Sequence, residues 1–204
     1  MNQSAFPSLK NHFLIALPGL RDGIFTHSIT YLCEHDDQGA MGIVINHPLG
    51  MEVDEILEQL EIDGQIFEHR DPVFAGGPVH TDRGFVLHRR DHHQWQASIE
   101  VTDTVALTTS LDILEAIALN RGPSQCLIAL GYAGWDAGQL EEEIQSNTWL
   151  TLPASEEVLF NVPSDQKIDA ALAVLGITFS QLGSDSAVLL YTSPSPRDRT
   201  RSRM

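Results

Sequence analysis

Residues 125–140, QCLIALGYAGWDAGQL, predict a buried strand that leads into a helix. The run at residues 126–130 is wholly apolar and short, as is typical of a strand in the middle of a sheet. A glycine-containing segment that starts at Gly131 joins this strand to a helix predicted at residues 137–146. The chain is therefore expected to pack helices against a sheet.

Capping alone explains the start of that helix. Asp136 and Gln139 have the spacing of a capping box, and Trp135 and Leu140 have that of a hydrophobic staple. The segment lacks the glycine spacing of a dinucleotide fingerprint and the lysine of a P-loop. We therefore expect no cofactor here.

Outward from this segment, most strands precede most helices. Strands are predicted at residues 12–17, 28–35, 40–46, 73–75, 85–88, 98–101 and 125–130, and helices at residues 53–60, 111–121, 137–146 and 165–175. This order favours an α+β fold over a doubly wound sheet.

Composition supports one globular domain. The chain has 204 residues, of which 42% are hydrophobic and 20% are charged, so it can bury one core. Its 12 basic and 28 acidic residues leave a formal net charge of −16, which repels a phosphate backbone. We therefore expect no direct binding of nucleic acid.

Location is indicated by what the sequence lacks. Two cysteines are too few for a disulfide scaffold and fit a reducing compartment. We find neither a signal peptide nor an apolar run that could span a bilayer. The expected location is the cytoplasm, away from the membrane.

The end of the chain differs from the rest. Four of the 12 basic residues and one of the 28 acidic residues lie in residues 188–204, so residues 1–187 carry a net charge of −19. We interpret residues 1–187 as the domain and residues 188–204 as a disordered or artefactual tail.

A cysteine and a histidine stand two apart on the second predicted strand. Strict alternation would place Cys33 and His35 on one face, together with Ile29 and Tyr31. A thiolate paired with an imidazolium is one interpretation, and these two residues are the catalytic candidates. The other is a buried thiol that packs as a small hydrophobic group.

A turn rich in glycine supplies the candidate binding residues. Gly76 and Gly77 could present successive amides to an anion, and Arg83 could add a guanidinium fork. The alternative is a turn that needs glycine only for its geometry. His88 ends the strand that follows and completes the candidate set.

Metal binding is not expected. His92 and His93 lie near His88, but the sequence has no HExxH motif and no paired CxxC motif.

Several motifs, taken in order, closely resemble the AlgH/YqgE family. They are FLIALPGL (13–20), YLCEH (31–35), GAMG (39–42), GGPV (76–79), RGFVLH (83–88), LTTS (107–110), GYAGW (131–135) and GQLE (138–141). The resemblance covers residues 10–183. It implies a bacterial α+β domain whose bent, mixed sheet curls into a partial barrel, with helices packed outside. Members are often labelled transcriptional regulators, and the resemblance implies no catalytic residues.

Two hypotheses for function follow. In the first, the domain is a non-enzymatic binding or regulatory module that acts through a protein partner or a small anionic ligand. Its site would be one patch that includes Cys33, His35, Gly76, Arg83 and His88. In the second, Cys33 is a redox-sensing or catalytic thiol whose pKa is lowered by a nearby histidine.

Overall fold

One long strand, β9 (Cys126–Asp136), lies at the centre of the sheet and has neighbours in both of its halves. The computed structural model describes residues 6–63 and 71–183. The other strands are β1 (His12–Ala16), β2 (Ile29–Asp36), β3 (Gly39–Val44), β4 (Pro48–Glu52), β5 (Pro72–Ala75), β6 (Val79–Arg89), β7 (Ser98–Glu100), β8 (Val105–Thr108) and β10 (Trp149–Pro153).

Four α-helices accompany the strands: α1 (Val53–Gln59), α2 (Leu111–Ala118), α3 (Gln139–Gln145) and α4 (Lys167–Ala173). Each lies within a few residues of a predicted helix. The shorter helical turns are Gly23–Phe25, Glu157–Asn161, Ser164–Gln166 and Phe179–Gly183, and Glu157–Asn161 is a π-helix.

The cap of α3 differs from the prediction. The helix begins after Gly138, whose φ is +79°, and not after Asp136. The Gln139 side chain still accepts the Asp136 N–H at 3.0 Å, as a capping box requires. Residues 131–136 were expected to be a connecting segment, and that prediction is wrong because they continue β9.

The sheet branches along β9. In its first half Ile128 pairs with Val73 of the parallel strand β5 and with Val86 of the antiparallel strand β6. In its second half Trp135 pairs with Ala40 of the antiparallel strand β3. The strand order is β10-β1-β2-β3-β9-β6-β8-β7, so β9 connects the strands on the β3 side with those on the β6 side. We call the change from β5 and β6 to β3 along β9 the exchange of neighbours.

The exchange occurs where three glycines bring two segments of backbone together. Gly131 has a φ of +77°, and a Cβ there would lie 2.3 Å from the Gly77 carbonyl oxygen. A Cβ on Gly76 would likewise lie 2.3 Å from the Gly131 carbonyl oxygen. Both contacts are shorter than any side chain permits, so this crossing requires glycine.

The two faces of the sheet bury different apolar clusters. The inner cluster joins residues from strands along the whole sheet to α4, and includes Phe13, Tyr31, Cys33, Ile43, Phe85, Leu87, Leu107, Leu150, Ile168 and Leu172. The α1–α2 cluster includes Val53, Ile56, Val86, Trp95, Ile113, Leu114 and Ile128. The α3 cluster includes Leu14, Leu32, Ala133, Trp135, Leu140 and Trp149.

The sheet therefore curls around the inner cluster as a half-barrel, which confirms the predicted α+β fold. Helices α1, α2 and α3 pack on its outside, as expected, but α4 packs against the inner cluster. No helix in residues 6–63 and 71–183 is long and apolar enough to cross a bilayer. The predicted boundary at residue 187 and the tail at residues 188–204 lie outside the described residues.

The glycine crossing should tolerate no side chain at Gly131. We expect Gly131→Ala to lower the free energy of unfolding by about 3 kcal/mol or more, because the new Cβ adds backbone strain to a clash with fixed backbone. Urea denaturation measures this change. Gly84→Ala is the control, because a Cβ at Gly84 meets no atom within 4 Å. A Gly131→Ala protein as stable as Gly84→Ala would contradict the role of the crossing.

Candidate ligand-binding site

The Cys33 thiol is closed off from solvent. Its side chain lies in the inner cluster with an exposed fraction of 0%, and Sγ lies 3.7 Å from the Tyr31 carbonyl oxygen. Burial, assisted by the nearby Glu34 carboxylate, raises the pKa of this thiol far above its usual range. This environment matches the buried thiol of the two sequence interpretations.

The prediction that Cys33 and His35 share a face is wrong. The pairing of β2 with β3 shifts between Leu32 and Glu34, and this β-bulge reverses the alternation of side chains. His35 consequently lies beside α3, where its Nδ1 accepts the Leu9 N–H at 2.8 Å and its Nε2 donates to Glu141 at 2.6 Å. His35 thus ties the start of the chain to α3.

His88 is buried on the outside of the half-barrel. Its Nδ1 donates to the Arg89 carbonyl at 3.0 Å, and its Nε2 accepts from the Thr108 hydroxyl at 2.7 Å. Thr108 is also hydrogen-bonded to Ser98. Burial lowers the pKa of His88, so the neutral ring fits this bonding pattern.

Gly76 and Gly77 lie at the backbone crossing. The Gly76 N–H donates to the Leu130 carbonyl at 2.8 Å, and the Gly76 carbonyl accepts the Val44 N–H at 2.9 Å. The Gly76 N–H is therefore already hydrogen-bonded within the sheet and cannot donate to an anion. The structure favours the geometric interpretation of this turn.

Arg83 lies at a different place, on the wall of a cavity of about 470 Å³. Side chains from α1, α2, β6 and β9 form most of its apolar wall: Ile56, Leu60, Val86, Leu111, Leu114, Ile128 and Leu130. Its polar wall consists of Gln59, Asp82, Arg83, Thr108, Thr109 and Ser110. An apolar pocket with a few polar groups is the usual form of a small-molecule site.

Arg83 is the cationic group of this cavity. Its guanidinium makes no hydrogen bond or ion pair with any side chain or backbone group in residues 6–63 and 71–183, so its donors are available. Asp82 is the other charged residue on the wall. Arg83 therefore offers the fork that suits a carboxylate or phosphate.

The N-terminus of α2 also faces the cavity, but the Asp112 carboxylate already neutralises its partial positive charge. Burial would raise the pKa of Asp112, and hydrogen bonds from Ser110, Gln96 and Ile113 outweigh burial and lower it. The resulting carboxylate occupies the place where an anion would meet the helix end. Among the described residues of the cavity wall, Arg83 is then the cation that could attract a ligand anion.

The structure does not bring the predicted site residues together in one patch. Cys33 lies in the inner cluster, whereas Arg83 lines a cavity whose walls belong to the α1–α2 cluster. His35 packs beside α3, a third location. Of the candidate residues, Arg83 alone lines this cavity. Within residues 6–63 and 71–183, no group of three or more His, Cys, Asp or Glu side chains could hold a metal ion.

The sequence also missed the cavity walls. The sequence predicts helices at residues 53–60 and 111–121, but not that a cavity lies between them with Ile56 and Leu114 on its wall. Leu60 and Leu111 are apolar, and nothing in the sequence shows that they are 44% and 56% exposed. That exposure is visible only in the folded chain.

Thiol labelling tests the burial of Cys33. In Cys126→Ser, where Cys33 is the only thiol, we expect reaction with a disulfide reagent at pH 8 to be roughly a thousandfold slower than in the urea-unfolded chain. Cys33→Ser is the control, because it retains the partly exposed Cys126, whose pKa burial raises to about 11. Rapid labelling of folded Cys126→Ser would overturn this assignment.

Known proteins resemble this chain over nearly its whole length. A family model described as AlgH-like matches residues 13–180. A UPF0301 protein of Thioalkalivibrio sulfidiphilus is 51% identical over 183 residues, which cover 90% of this chain and 98% of that protein. A UPF0301 protein of Saccharophagus degradans is 52% identical over 172 residues, which cover 84% of each chain.

Two solved structures share the fold. The solution structure of the AlgH protein from Pseudomonas aeruginosa has 47% sequence identity and a TM-score of 0.74, and the match covers 91% of this chain and 98% of that one. Protein DIP2367 from Corynebacterium diphtheriae has 16% identity and a TM-score of 0.65, over 90% and 95% of the two chains, and shows the fold alone. The family model and the close relatives together show that this chain belongs to the AlgH-like family.

Proposed function

We propose that this chain is a non-enzymatic cytoplasmic binding module that takes a small anion with an apolar body in the cavity beside Arg83. One observation carries the proposal. A cavity of about 470 Å³ has a mainly apolar wall that includes Arg83, whose guanidinium has no partner in residues 6–63 and 71–183. This combination would bind a ligand that carries both an apolar group and a negative group.

The cavity wall supports a ligand with an apolar body. The volume lies within the ~300–1,000 Å³ that is usual for small-molecule pockets. Ile56, Leu114 and Ile128 would surround an alkyl or aryl group, and removal of that group from water would drive binding. A small inorganic anion would leave most of this wall uncovered.

The charged residues of the cavity wall support a ligand with one negative group. Arg83 can donate two parallel hydrogen bonds to a carboxylate or phosphate. The Asp82 carboxylate on the same wall opposes a second negative charge. A monoanion therefore fits better than a dianion.

A regulatory role would follow from the position of the cavity. Leu60 and Leu111 lie on its wall with large exposed fractions, so a bound ligand would cover apolar surface that a protein partner could otherwise contact. Ligand binding could in this way change the affinity for that partner.

Octanoate is a suitable probe, because it combines a carboxylate with an apolar chain. We expect octanoate to raise the melting temperature by about 3 °C at tenfold its Kd, and 1-octanol and propionate to have much smaller effects. Arg83→Gln should weaken octanoate binding about tenfold, because charged hydrogen bonds are lost. Calorimetry or a thermal-shift titration measures both effects.

Matched variants separate the cavity from general charge effects. Arg21→Gln removes an exposed arginine that is absent from the cavity wall and should leave the Kd unchanged. Leu60→Asp should weaken binding, whereas Leu119→Asp, at a comparably exposed leucine away from the wall, should not. Asp82→Asn should strengthen binding. Equal affinities for Arg83→Gln and Arg21→Gln would refute the proposed site.

Action through a ligand or a protein is proposed in place of direct DNA binding. Residues 1–187 carry a net charge of −19, and the start of α3 is acidic at Glu141 and Glu142. Phosphates would be repelled by such a surface. The four arginines of residues 188–204 are the basic residues that could still attract DNA.

A gel-shift titration tests this part. We expect the full chain with Arg197, Arg199, Arg201 and Arg203 changed to Gln to show no saturable binding to duplex DNA at low salt. The parent chain is the control. Any DNA binding that depends on those four arginines alone should vanish as the salt concentration is raised. Tight, saturable binding by the substituted chain would defeat the proposal that DNA is not contacted directly.

A further inference from the structure

Lys167 is a buried amine that the proposed function does not use. It opens α4, and its exposed fraction is only 3%. Its Nζ donates to the carbonyls of Val158, at 2.8 Å, and Leu159, at 2.7 Å. Those carbonyls belong to the π-helix Glu157–Asn161, a type of turn often found at functional sites.

The bonding pattern suits a neutral amine. A protonated lysine has three N–H donors, but two carbonyls accept here, and no carboxylate in residues 6–63 and 71–183 pairs with Lys167. A neutral amine has two N–H donors, which these carbonyls satisfy, and one free lone pair. Burial lowers the pKa of Lys167 to about 8, so at pH 7 a far larger fraction of this amine is neutral than of an exposed lysine.

Lys167 also lines a cavity, of about 250 Å³, distinct from the one beside Arg83. Phe74, Ile117, Leu127 and Leu159 contribute to its apolar wall. The size is below that of pockets for drug-sized ligands, so a molecule of a few carbon atoms fits.

Two further titratable side chains, Asp71 and Cys126, share the wall of the Lys167 cavity. The Asp71 carboxylate disfavours an anionic ligand. Burial raises the pKa of Cys126 to about 11, so its thiol stays protonated at the pH where Lys167 becomes neutral. An uncharged electrophile is therefore the ligand that suits this wall.

We infer that Lys167 is a reversible covalent binding site for a small, uncharged aldehyde or ketone. The nitrogen lone pair attacks the carbonyl carbon, the C–N bond forms, and one amine proton moves to the carbonyl oxygen. The resulting hydroxyl group leaves as water with the second amine proton, and a C=N bond remains. Water reverses the step, so neither an oxidant nor a reductant is needed.

The alternative is that Lys167 only stabilises the π-helix by capping its carbonyls. In that case the amine would be shielded and would react with aldehydes no faster than an ordinary lysine. The two possibilities differ in rate and in selectivity for ligand size. The chain is suited to the comparison because its two lysines are Lys167 and the partly exposed Lys10.

The experiment treats the full chain at pH 7 with propionaldehyde and cyanoborohydride, which reduces the imine to a stable propyl amine. Peptide mass spectrometry then compares Lys167 with Lys10. We expect at least tenfold more modification of Lys167, because a far larger fraction of its amine is neutral at this pH. Pyrenecarboxaldehyde, which is too large for the cavity, should reverse the preference.

Two outcomes would overturn the inference. One is that Lys10 takes up propionaldehyde as readily as Lys167 in the folded chain. The other is that Lys167 is modified only after unfolding in urea, as a shielded capping group would be. Lys167→Arg, which retains the donors, checks the peptide assignment because its remaining lysine is Lys10. The result in the parent chain decides the question even if this variant fails to fold.

Discussion

The rest of this structure depends on the backbone crossing of Gly76 and Gly77 with Gly131. Two chain segments approach there more closely than any Cβ allows, and the positive φ of Gly131 redirects β9. Before the crossing β9 lies between β5 and β6, and after it β9 pairs with β3. One strand therefore belongs to both arms of a branched sheet, and the sheet can curl into a half-barrel.

The curl places residues that are close in sequence in different chemical environments. Cys33 lies inside, where burial makes its thiol a packing group, while the bulge after Leu32 places His35 outside against Glu141. Arg83 lines a cavity beside the α1–α2 cluster, and Lys167 lines a second cavity whose wall takes residues from both the inner and the α1–α2 clusters. The described part of this AlgH-like half-barrel thus has two cavities with different chemistry, one lined by an arginine and the other by a buried lysine.

Much of the architecture could be predicted because it depends on local patterns. The helices were found from apolar spacing, and their starts and ends differ by a few residues. The extension of β9 to Asp136 was missed, because the pairing with β3 that makes residues 131–136 a strand comes from a distant part of the chain. The prediction of a shared face for Cys33 and His35 is wrong for a similar reason, since one bulged residue reverses the side-chain alternation after it.

The sequence by itself determined the family, the α+β class, the positions of the helices and the acidic charge, because composition and short-range periodicity carry that information. It also singled out Arg83 as a cation in an otherwise negative molecule. Tertiary structure alone decided that Arg83 lines an apolar cavity and that Lys167 meets two carbonyls and, within the described part of the chain, no carboxylate. The physical reason is that cavities and desolvated amines are made by contacts between distant segments, which no local pattern encodes.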